Sequence, residues 1–244
     1  MAHPSDREPA TPGTPRHRTG SAMAFGNLLI LVVVYAALMI VLALNLSQDV
    51  FVPLFAEGGP FESLTIGFWL LLAALCFTLP GLPRRPWDSG IVALLAAARE
   101  ADLHKAFTDM SVLKTSYYLK SAAPPFEKLI AALVTLPALA LVIYVLVAGA
   151  RFIRRTGAWR LDWGRTTLLA MGLLVASKML DRVEAVTADW FGLHFSPLAH
   201  NFIAAFEEGV ECLLPVLFIA ALLQYQYLHL AGENGNEARG AGTR

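Results

Sequence analysis

Apolar residues in this chain come in runs too long for one face of a soluble helix. Residues 24–44, 64–79, 129–148 and 202–223 are almost continuously hydrophobic, without the broad polar face of a surface helix. About 20 apolar residues in a helix cross the hydrocarbon core of a bilayer. The pattern therefore predicts four membrane-spanning helices. A fifth run, 166–186 (TTLLAMGLLVASKMLDRVEAV), starts apolar and turns polar. A sixth, 89–110 (SGIVALLAAAREADLHKAFTDM), does the same, and by hydropathy alone it reads as an amphipathic surface helix.

Arginine placement changes that reading of 89–110. The connection 151–165 holds Arg151, Arg154, Arg155, Arg160 and Arg165 against Asp162 alone, which marks it as cytoplasmic. The N-terminal segment, with Arg7, Arg16 and Arg18, carries the same mark. Five spans put these segments on opposite faces; six put them on one face. With six, twelve of the fourteen arginines are cytoplasmic, and Arg99 and Arg182 lie in the polar spans. The expected architecture is all-α: a polytopic bundle of six transmembrane helices with both termini cytoplasmic. Five spans plus one interfacial helix is the alternative, since 110–127 carries Lys114 and Lys120. A multi-pass protein of the cytoplasmic (inner) membrane follows as an expectation.

Composition agrees. The chain is 56% hydrophobic and 16% charged, against about 25% charged in soluble domains. Its net charge of zero gives no electrostatic case for nucleic acid. Residues 1–22 and 230–244 read as disordered tails around a membrane domain over 23–229. The first apolar run is too long for a signal-peptide core, and no small-residue cleavage site follows it, so it is expected to stay as an anchor. Connections at 45–62 and 187–200 mix aromatics, Gly and Pro, as interfacial segments do. Cys76 and Cys212 lie in apolar runs and read as packing residues. Pro137 and Pro215 are expected to kink their spans. There is no phosphate-cradling glycine loop, nucleophile elbow or Cys-x-x-Cys pair.

With six spans, the intramembrane charges fall in one layer near the outer face. Span three brings Arg99, Glu100, Asp102, His104 and Lys105. Span five brings Lys178, Asp181, Arg182 and Glu184, and span six brings Glu207, Glu208 and Glu211 after His200. Charged groups at membrane depth are costly and normally face the bundle interior. Helical spacing places Glu100 and His104 on one stripe, lets Arg99 pair with Asp102, and aligns His200, Glu207 and Glu211. Seven acids against four bases leave three negative charges in excess. Either some acids hold protons or a bound cation completes the balance.

Carboxylates with an imidazole are reasonable ligands for a divalent or iron-type metal. Glu100, His104, Asp181, Glu207, Glu208 and Glu211 are the candidate ion-binding residues. Arg99, Lys178 and Arg182 are the candidates to tune charge or hold an anionic group. The stretch EEGVE resembles the Arg-Glu-x-x-Glu element of iron-permease membrane proteins, in which the two acids bind metal. Glu208 and Glu211 match those acids, but Glu207 stands in place of the arginine, and the likeness covers five residues once.

Three functions fit this pattern. One is a site for a cation, or for acid–base or metal-assisted chemistry on a membrane-associated substrate. The second is an ion, proton or metal transporter, for which the apolar inner halves of the spans offer little polar path. The third is an assembly subunit, docked to a membrane-protein partner or a second copy, whose charges lock the helices together. In that last reading the acids of span six are interhelical pairs with Lys178, Arg182 and Arg99.

Overall fold

The computed structural model describes residues 24–56, 58–82, 86–106, 108, 110–192 and 195–241, without the side chains of 184, 185, 188, 189 and 230–241. The segment expected as an N-terminal tail lies outside them. The described residues form eight α-helices and no strand: α1 (Phe25–Asn45), α2 (Gln48–Phe55), α3 (Pro60–Thr78), α4 (Pro86–Glu100), α5 (Thr115–Lys120), α6 (Pro125–Thr156), α7 (Asp162–Phe191) and α8 (Pro197–Ala241). A 3-10 turn, Ala158–Arg160, joins α6 to α7.

Local chemistry sets these boundaries. Pro60 and Pro125 occupy first-turn positions of α3 and α6, where the missing N–H costs nothing. Before α3 the chain turns at Gly58, with φ +77°, and the Glu62 carboxylate accepts a hydrogen bond from the Gly58 N–H. Gly157 closes α6 in the left-handed conformation, φ +66°, which a residue without Cβ adopts freely. Helix α4 stops at Glu100 because the chain turns at Asp102, whose φ is +52°.

Large apolar side chains point outward rather than inward. Ile30, Val33 and Val34 of α1 and Leu133, Val134 and Leu136 of α6 are each 59–67% exposed. The buried positions belong largely to small residues: Ala73, Ala93, Ala97, Ala170, Ala205 and Ala220. That inversion suits helices dissolved in lipid, where apolar surface needs no hiding and small residues let backbones approach. Helix α8 is the axis, with α1, α3 and α7 packed around it. Ala170, Leu213 and Leu217 form one core between α7 and α8. Phe51 and Phe55 of α2 join Met39, Ala43 and Ala205 in another. Helix α4 runs back along α3, from Trp87 against Phe77 (ring centroids 5.2 Å apart) through Ala93 against the Leu72–Cys76 face.

Five expected runs lie inside α1, α3, α6, α7 and α8. Three segments among the described residues are long and apolar enough to cross a membrane: Phe25–Asn45, Gln48–Thr78 and Pro125–Thr156. The run 89–110 is not one helix. Its helical part is the 15-residue α4, about 22 Å long, and turns follow over 101–106. The connection after α1 holds a short helix, α2, seated on the core by its two phenylalanines. The backbone of α8 continues as helix to Ala241, beyond the expected end of the membrane domain.

Candidate functional site

Helix α8 carries Glu207, Glu208 and Glu211 into the bundle. Glu211 is the most enclosed, with 10% of its side chain exposed. Lys178 of α7 forms an ion pair with its Oε1. Ser177 donates to the same oxygen over 3.1 Å, and Arg99 of α4 places Nη1 3.7 Å from Oε2. Arg99 also donates to Glu100 Oε1 over 2.5 Å. One carboxylate thus ties α4, α7 and α8 together. Ser177 is fully buried against α8, and the long stem of its neighbour Lys178 brings the ammonium to the same oxygen. Four residues on, Pro215 has no N–H, so the Glu211 carbonyl lacks its helical donor.

Glu207 and Glu208 are half-buried and differently surrounded. Glu207 lies within electrostatic reach of Asp181 on α7, whose side chain is 44% exposed. Glu208 lies within electrostatic reach of Glu62, Glu100, Glu207 and Glu211. Arg99 and Lys178 are the bases that reach this acidic layer, and both are engaged by Glu211 or Glu100. The Arg182 side chain is 79% exposed and reaches Asp181 only at 3.8 Å.

Not every expected neighbour is brought together. Glu100 and His104 share no helical stripe, because the helix ends at Glu100 and the chain turns at Asp102. Arg99 pairs with Glu100 and Glu211 rather than Asp102. Asp102 instead pairs with Lys105 at 2.9 Å and stands 3.8 Å from His104 Nδ1. That buried nitrogen makes no hydrogen bond, and the strongest electrostatic neighbours of His104 are Asp102, Lys105, Arg99 and Lys114, none of them an α8 carboxylate. His200 stands at the exposed start of α8. The Glu184 side chain and His194 lie outside the described residues.

Among the described residues, no three of His, Cys, Asp and Glu are arranged to hold a metal ion. Of the two acids that resemble the iron-permease element, Glu211 is already held by Lys178, Ser177 and Arg99. The donor set as it stands does not fit a metal.

Several polar partners escape sequence reasoning. Ser177 is one. Tyr35 of α1 is another: its hydroxyl donates to the Gly209 carbonyl over 3.0 Å. Their signal is weak, because a lone hydroxyl in an apolar run becomes informative only once the rotation of its helix is known.

The described residues thus form an all-helical structure, with three segments long and apolar enough to cross a membrane and acidic side chains gathered around Glu211 of α8. No family model, curated protein or solved structure matches the chain.

Proposed function

We infer that the acidic layer is a cation-binding, acid–base site open to the outer face of the membrane, in which Glu207 and Asp181 share a proton and Glu208 stands beside them. The gathering of Glu207, Glu208 and Asp181 beside Glu211, whose Lys178 and Arg99 partners are already engaged, carries this reading. A proton shared by two acids needs no preformed ligand shell, which favours it over a metal. Carboxyls so placed can hand a proton to, or take one from, a membrane-associated substrate entering from the same side. Glu211, already neutralised, is the anchor that positions them.

The orientation belongs to the same reading: six spans, both termini cytoplasmic, in the cytoplasmic membrane. The antiparallel course of α4 along α3 supports it, since it carries Arg99 and Glu100 from the Phe77 level to the depth of Glu211. The arginines of 151–165 then face the cytoplasm. A transporter is disfavoured by the apolar packing of Leu213, Leu217 and Ala170 with Leu169, Leu173 and Phe218 beyond Glu211. The assembly reading draws on the Glu211 ties alone and leaves Glu207, Glu208 and Asp181 without a role.

Infrared titration of the reconstituted protein, with metal analysis of the same sample, tests the site. The expected result is a protonated-carboxyl band that Glu207→Gln and Asp181→Asn each abolish, with the fold retained. Stoichiometric metal lost in Glu208→Gln would replace the proton with a metal. No such band and no metal, with all variants unstable, would leave the assembly reading.

A further inference from the structure

Helix α6 has a different unexplained feature. None of its 32 residues is buried, and it packs mainly on α4 and the turn before α7, with Phe152 against Trp163 of α7. Ala140, Ile143, Tyr144, Val147, Ala148 and Arg151, all of α6, line a shallow, open groove of about 380 Å³ along its surface. At about 100° per residue, Ala140, Tyr144, Val147 and Arg151 fall within about 60° of one another, so the groove runs along the helix and ends on a guanidinium. From Arg151 to Ala140 it covers about 16 Å, close to half of the roughly 30 Å hydrocarbon core. Arg154 and Arg155 stand on the same side one turn further on. No acid occurs between Glu127 and Asp162, and all five arginines of 151–165 are exposed.

We propose that this groove holds one acyl chain of an anionic phospholipid, with its phosphate on Arg151, Arg154 and Arg155. The length matches a single leaflet, and the charge matches a phosphate, which guanidinium groups grip through paired N–H donors. A second copy of the chain fits less well, because two such faces side by side in parallel would bring six arginines together.

Native mass spectrometry of the detergent-purified full chain tests this, with phosphatidylglycerol, phosphatidylcholine of the same acyl chains, and inorganic phosphate as probes. Phosphatidylglycerol is expected to be retained over phosphatidylcholine. Arg151→Gln is expected to weaken phosphatidylglycerol about fivefold and leave phosphatidylcholine unchanged. Ala148→Trp, which fills the groove, is expected to weaken both, with helicity and elution volume retained. Equal retention of the two lipids would overturn the proposal. So would indifference to the triple change R151Q/R154Q/R155Q, displacement of the lipid by inorganic phosphate, or a dimer that occludes α6. None of these outcomes depends on the acidic layer.

Discussion

Three glutamates within five positions of α8 have unlike surroundings. Glu211 neutralises Lys178 and reaches Arg99, so removing its charge leaves Lys178 facing an amide, while Arg99 keeps Glu100. Breaking a fully buried pair costs about 3–5 kcal/mol. Lys178 is 39% exposed, so Glu211→Gln is expected to destabilise by about 2 kcal/mol, read as a lower midpoint in detergent-denaturation curves. Glu208→Gln relieves repulsion from Glu62, Glu100, Glu207 and Glu211, and the same curves are expected to show no loss of stability. Equal destabilisation by both would mean that the three acids act as one structural unit. The sequence shows that these acids share a depth and a side of the helix. It does not show which of them a lysine on α7 captures, because that depends on the rotation of α7 about its axis.

Close approach between elements is set by glycines with unlike neighbours. A Cβ on Gly164 would stand 2.0 Å from the Ala158 carbonyl oxygen, which is backbone. On Gly90 it would meet the Phe77 ring at 2.6 Å, and that ring is backed by Trp87. On Gly209 it would meet Met39 Sδ at 2.6 Å, the far end of a flexible side chain. Alanine at these positions is therefore expected to lower thermal stability in the order Gly164, Gly90, Gly209. The first two are expected to cost about 1–3 kcal/mol, as overpacking does, and Gly209→Ala less. Phe77→Leu is expected to rescue Gly90→Ala; failure of that rescue would mean the contact between α3 and α4 is not the cause.

At this scale the long apolar runs were legible, since lipid demands length and continuity. The end of α4 was not. Ala101 and Asp102 continue a plausible helical pattern, and only the left-handed turn at Asp102 shows that the helix stops. That stop separates His104 from Glu100. The two phenylalanines that seat α2 also read as interface residues until their packing on Met39 and Ala205 is seen.

Among the described residues, large aliphatic side chains face outward, while many alanines, with Met39, Phe51, Phe55 and Leu217, fill the interior around Glu211. The return of α4 along α3 sets the depth of the acidic layer, because it is the element that brings Arg99 and Glu100 to Glu211. The surplus of acids could be counted from the chain, but the capture of Glu211 by Lys178, Ser177 and Arg99 could not. If α4 and the turns after it carry the chain across the bilayer, the layer opens to the outer face, opposite the arginines of 151–165. Cysteine labelling in intact cells tests this, using a membrane-impermeant reagent in a Cys76→Ala, Cys212→Ala background. Lys114→Cys and Glu208→Cys are expected to react from outside, and Arg155→Cys only after the membrane is opened. Reaction of Lys114→Cys and Arg155→Cys from the same side would contradict the account.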